Sequence, residues 1–305
     1  MTSPAELLAR MQDLDLQAPD KEFIGCFYGP AGSGKTTLTA AMAQRLTKTG
    51  RIAFLDSSDG WVSLQNFRDD EGYPFLTEGM TRLRVKDYAD LFGFATALEK
   101  RAKGFEDFDV VVVDEMSSMA QGALDDVIEE KTGDENGEAD WTFYRPAGRR
   151  IMSVLNKLHD VEGLHVIIVA HERKDLLRPK VFVTSPGFNP SLFTDVSKIM
   201  HVIANCSRIV EGSEKDPSAR FIIQSQLSKL VTAKSRIGGM PTYVDPSTFV
   251  DIVDTWVTSG AISTETNQAE TYMDPAEDML PGEGVTAVDL ASDDEDDEPA
   301  MQESE

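Results

Sequence analysis

Residues 29–37 read "GPAGSGKTT", set between the apolar run "FIGCFYG" (23–29) and a helical period over 35–47. Gly29, Gly34, Lys35 and Thr36 satisfy the spacing G-x-x-x-x-G-K-[ST]. A glycine-rich turn that leaves a buried strand and opens a helix aims backbone N–H groups inward, and the helix N-terminus adds positive potential. The stretch Gly29, Pro30, Ala31, Gly32, Ser33, Gly34, Lys35, Thr36 and Thr37 is therefore a candidate phosphate cradle. Lys35 is expected on the β- and γ-phosphates, and the Thr36 hydroxyl on Mg²⁺. A strand, a tight turn and a helix in this order also call for a parallel sheet with crossover helices.

The rest of the chain keeps that alternation. Strand-like runs fall at 51–56, 82–85, 109–115, 164–171, 197–205, 219–226 and 227–234, and helical periods at 87–102, 141–159 and 246–258. The central runs are apolar almost throughout, as in strands covered on both faces. The fold class is α/β, with a mostly parallel central sheet flanked by helices. "DVVVVDEMSS" (109–118) supplies the second half of a nucleotide site. Asp114, at the end of a four-valine strand, is placed to hold Mg²⁺ through water, and Glu115 to polarise an attacking water. Together the two motifs predict binding and hydrolysis of a nucleoside triphosphate, with ATP and Mg²⁺ as cofactors.

Charge is unevenly spread. The net charge is −24, yet residues 265–305 hold fifteen acidic groups and no Lys or Arg, leaving 29 basic against 38 acidic residues before them. The segment after about Gly260 reads as a disordered acidic tail (261–305). Residues 1–20 read as an N-terminal amphipathic helix or arm, without a signal-peptide apolar core, and 21–260 as the nucleotide-binding domain. No apolar run reaches the roughly 20 residues that span a bilayer, so no membrane role is expected. Cys26 and Cys206 form no disulfide framework or metal-ligand spacing, which suits a reducing cytoplasm.

Three further features narrow the kind of nucleotide enzyme. "LHVIIVAH" (164–171) ends in His171, a polar strand tip able to contact a γ-phosphate and report its loss. His159, His165 and His201 belong to no such constellation and read as structural. The segments "EEKTGDENGEAD" (129–140) and "ERKDLLRPKVFVTSPGFNP" (172–190) look loose. The second carries Arg173, Lys174, Arg178 and Lys180 with Phe182 and Phe188 nearby, a mixture that suits single-stranded nucleic acid. "TAKSR" (232–236) places Lys234 and Arg236 two residues apart, on one face of a strand, and Arg236 is the last cation of the chain.

In this order the five elements "GPAGSGKTT", "AFLDSSDG", "VVVVDE", "VIIVAH" and "TAKSR" resemble the RecA-type recombinase ATPases. Within them the chain looks most like the short phage-encoded RecA-like proteins of the single-strand annealing and recombination class, over roughly residues 20–245. The resemblance implies a RecA-like domain that binds single-stranded DNA and assembles as a ring or filament. It places the 172–190 segment at the family's second DNA-binding loop and 129–140 roughly at the first. It also implies that Lys234 and Arg236 reach the γ-phosphate of a neighbouring copy, Arg236 as an arginine finger. The chain departs from the family at Ser58, where a catalytic glutamate is usual, so Glu115 or Asp59 would activate water, with Glu115 favoured. Asp114-Glu115 is similar to the acidic pair of AAA+ ATPases, so a helicase-loader or remodelling ATPase is the alternative. A monomeric P-loop kinase is the remaining one. The tail suggests a mimic of DNA phosphates or a docking segment for replication and recombination proteins.

Overall fold

The apolar runs form a sheet with both faces covered. The computed structural model describes residues 21–67, 75–134, 137–178, 181–213 and 216–259. These lie within the first of two compact units, Met1–Ala269, the second being Glu270–Glu305. The arm at 1–20 and the tail at 261–305 lie outside the described residues. In chain order the elements are β1 (Ile24–Gly29), α1 (Lys35–Leu46), β2 (Ile52–Asp56), α2 (Trp61–Leu64), β3 (Met80–Arg84), α3 (Tyr88–Glu99), β4 (Val110–Asp114) and α4 (Met116–Thr132). Then follow α5 (Tyr144–His159), β5 (His165–Arg178), β6 (Val181–Pro186), α6 (Pro190–Ile199), β7 (Val202–Ser213), β8 (Asp216–Gln224), β9 (Lys234–Ser235), β10 (Tyr243–Val244) and α7 (Pro246–Ser259).

The strand order is β10-β8-β7-β1-β5-β4-β2-β3. From β7 to β3 all neighbours are parallel, and β8 and β10 add an antiparallel edge. This is the expected α/β class. Alternate residues of each central strand enter different layers. Cys26, Tyr28, Val111, Val113, Val166 and Ile168 pack under α3, α4, α5 and α6. Phe27, Phe54, Val110, Val112 and Ile167 pack under α1, α2 and α7. That double burial is why these runs read as continuous apolar stretches. Local signals start the helices: Asp87 accepts from the Asp90 N–H ahead of α3, and Asn189 accepts from the Leu192 N–H ahead of α6, with Pro190 in its first turn.

Five expectations need correction. Residues 172–178 and 181–186 pair as a β-hairpin: β5 runs on past His171, and Glu172–Arg178 pair antiparallel with Val181–Pro186. The basic side chains disguise a strand whose backbone is satisfied by its hairpin partner. Residues 197–199 end α6, so the strand starts only at Val202. The run 227–234 pairs little, giving a bridge between Val231 and Thr184 and then the two-residue β9. At 129–140 the charged start continues α4 as far as Thr132. Phe188, grouped with the exposed aromatics, is buried in the core and offers no stacking surface. No helix among the described residues is long and apolar enough to cross a membrane.

Candidate active site

The glycine-rich turn occupies the carboxyl end of β1, between the ends of β5 and β7, and delivers the chain into α1. Gly34 caps that helix at φ 82°, in the left-handed region where a side chain is strained. No side chain caps the helix and its first turn has no acidic residue, so its leading N–H groups are left for an anion. Ser33 Oγ is buried in the turn without a hydrogen-bond partner. Lys35 is buried too, and its Nζ donates to the carbonyls of Gly29 (2.9 Å) and Pro30 (2.8 Å). Burial pulls the Lys35 pKa down, while the charges of Asp114, Glu115 and Glu172 act against that fall.

Thr36 Oγ1 donates to Asp114 Oδ2 at 2.8 Å, joining the start of α1 to the tip of β4. Burial raises the Asp114 pKa to about 6; the Thr36 hydrogen bond works the other way, and Asp56 and Glu115 add to the rise. Gly60 passes so close that a Cβ there would stand 2.4 Å from Asp114 Oδ2. Only bare backbone fits at that corner. The unpartnered Ser33 hydroxyl, the uncapped amides, Lys35 and the oxygen pair of Thr36 and Asp114 make a donor set that fits a nucleoside triphosphate with Mg²⁺. Among the described residues no three His, Cys, Asp or Glu side chains are grouped to hold a metal by themselves.

Glu115 is buried at the start of α4. Its Oε1 accepts from Ser118 Oγ at 2.6 Å, and its Oε2 lies 2.7 Å from His171 Nε2. His171 stands opposite Gly29 in the β1–β5 register, with its side chain 57% exposed. Its backbone N–H donates to Ser117 Oγ at 2.9 Å. The structure thus brings His171, Glu115 and the phosphate turn together. Asp59 is held elsewhere, 2.8 Å from Arg82 and 3.5 Å from Arg84, and Ser58 is exposed. His165 and His201 accept, through Nδ1, from the N–H groups of Phe23 and Ile24. Burial, and next the Arg236 charge, lowers the His201 pKa to about 4.

Lys234 and Arg236 are not brought to this chain's own phosphate turn. β9 pairs with the first residues of β7, and Val202 lies beside Gly25, at the end of β1 away from the turn. Lys234 Nζ donates to the Ser197 carbonyl and Arg236 to that of Lys198, so both cations cap the last turn of α6. On the hairpin, Arg173 is committed to Asp175 (2.6 Å) and to the Phe188 carbonyl (2.6 Å). Lys174 is exposed, 3.2 Å from Glu172. Leu176 and Phe182 are register partners, 63% and 50% exposed. Arg178 closes β5, and Lys180 lies outside the described residues.

Sequence reasoning missed Ser118, Ser57, Gly60 and Arg82. Ser118 had a signal, since a serine three residues after Glu115 lies one turn up the helix. Ser57, whose Oγ accepts from the Glu115 N–H at 2.9 Å, and Arg82 reach the site only by strand pairing. A cavity of about 740 Å³ beside Gly34 and Thr37, walled by Leu38, Phe67, Phe221, Ile223 and Val250, was equally illegible.

A family model described as an AAA domain matches residues 21–237. No curated protein matches the chain. Among solved structures it is similar to the flagellar accessory protein FlaH from Methanocaldococcus jannaschii, at 12% identity and a TM-score of 0.38, covering 70% of this chain and 82% of that one. It is also similar to the RadB recombinase, at 16% identity and a TM-score of 0.40, covering 70% and 84%.

Proposed function

The chain belongs to the AAA domain family and is a P-loop ATPase, and from that premise we propose a recombination or annealing ATPase of the phage type, coupled to single-stranded DNA. Gly29–Thr37 take the phosphates, and Thr36 with Asp114 would hold Mg²⁺, which would supply charge neutralisation to the transferred phosphoryl group. Glu115 orients and deprotonates the attacking water, with Ser118 and His171 fixing its two oxygens. The apolar cavity beside Thr37 suits a flat nucleobase. Lys234 and Arg236 face away from their own phosphate turn, so they serve a γ-phosphate only across a contact between copies, in a ring or filament.

The observation that carries the reading is the hold of His171 on Glu115 at the root of the hairpin. β5 is continuous from His165 to Arg178, so a ligand gripping the exposed hairpin pulls on the residue that positions the catalytic carboxylate. Steady-state ATP turnover with and without single-stranded DNA, alongside light-scattering mass, tests it. Stimulation by DNA and a concentration-dependent rate are expected. A rate indifferent to both ends the proposal. The family description also favours a second reading, a helicase loader or remodelling ATPase. Stimulation by a helicase or nuclease subunit in the absence of DNA would select it, and full turnover by a monomer with a small acceptor would select a kinase.

A further inference from the structure

Asp56 ends β2 beside Asp114, its register partner on β4. Alternation along the two strands puts both carboxylates on the face of Phe54 and Val112, the face that α1 covers. The Asp56 side chain is fully buried, and its two oxygens are treated unequally. Oδ2 accepts from Arg82 Nε at 2.8 Å and lies 2.6 Å from Arg82 Nη2. Oδ1 has no hydrogen-bond partner. A buried carboxylate oxygen without a donor is costly to the fold. The carboxylate that carries the orphan is the register neighbour of Asp114, which with Thr36 forms the donor set that suits a hard cation.

We propose that Asp56 is a positioning residue of the cation site, its Oδ1 accepting a hydrogen bond from a water of the Mg²⁺ hydration shell while Arg82 holds the carboxylate in place. The proposal rests on the reading of Thr36 and Asp114 as the Mg²⁺-holding pair. Asp56 acts through water, so its loss weakens the metal without touching the phosphate grip of Lys35 and the helix amides. Groups that orient the first ligands of a metal are typically worth about 10–100-fold in its affinity.

The test uses the full chain, with Mn²⁺ as the probe and a non-hydrolysable ATP analogue at saturation, free and bound Mn²⁺ being measured by electron paramagnetic resonance at pH 8. Asp56→Asn is expected to weaken Mn²⁺ binding about tenfold or more, with analogue affinity in EDTA unchanged. Arg82→Gln leaves the carboxylate but removes the group that holds it in place, so Mn²⁺ binding is expected to weaken, by less than in Asp56→Asn. It also keeps the proposal testable if Asp56→Asn does not fold. Wild-type Mn²⁺ affinity in a folded Asp56→Asn or Arg82→Gln protein overturns the proposal, as does an equal loss of analogue affinity in EDTA. Asp114→Asn separates the two levels. If it too leaves Mn²⁺ affinity intact, the ATPase-site reading itself fails; if it alone weakens Mn²⁺, only the role of Asp56 is lost.

Discussion

Asp114 carries a buried carboxyl with its pKa raised to about 6 from an ordinary 3.8, chiefly by burial. The folded, metal-free protein therefore favours the protonated acid. The stability this confers is fully present below the ordinary value and is lost as pH rises through about 6. Ionised at pH 8, the group costs the fold about 3 kcal/mol. Asp114→Asn should thus raise metal-free stability by up to about 3 kcal/mol at pH 8, with the gain vanishing near pH 4, as read by urea unfolding at the two pH values. In the proposed site the same substitution also removes the charge that would attract Mg²⁺. A residue that weakens the empty fold while serving the loaded one is the mark of a functional carboxylate.

At the scale of elements, β5 does two jobs on one backbone. Its first half is a parallel strand buried between β1 and β4, and its second half is one arm of an antiparallel hairpin. Leu176 and Phe182 face each other across that hairpin and stay exposed, which leaves the aromatic ring free to stack. If the hairpin meets single-stranded DNA, Phe182→Ala should weaken binding by about 1–3 kcal/mol in fluorescence anisotropy. A loss below that range would show that the hairpin serves another partner. Arg173 should contribute less than its charge suggests, since Asp175 and the Phe188 carbonyl already occupy its guanidinium.

For the whole molecule the question is whether one copy suffices. As a cap of α6 alone, Arg236 is worth about 0.3–1 kcal/mol of stability, and Arg236→Ala leaves turnover intact. As a finger acting across a subunit contact, its loss lowers kcat by about 10³-fold or more. In that case mixing Arg236→Ala with Lys35→Ala chains restores part of the activity, because some contacts combine one intact phosphate turn with one intact arginine. Turnover of the mixture against each variant alone decides it. Deleting residues 265–305 removes fifteen negative charges. Repulsion of a polyanion then falls, and single-stranded DNA binding should tighten at low salt and converge with the full chain at high salt.

The phosphate turn, the strand ending in Asp114 and the two-faced sheet were legible because each depends on neighbours in sequence. A nine-residue turn sets its own backbone, and a strand buried on both faces must be apolar at every position. His171 was visible as the end of a buried apolar run, although the strand itself continues past it to Arg178. Sequence could not show that Glu115 is clamped between Ser118 and His171, or that the charged segment 172–178 continues a strand. Nor could it show that Asp56 lies against Asp114 with one oxygen unpartnered. Those facts arise from strand order and register, where residues many tens of positions apart are set side by side. The amino-acid order wrote the chemistry of each group, and the tertiary pairing chose which groups meet.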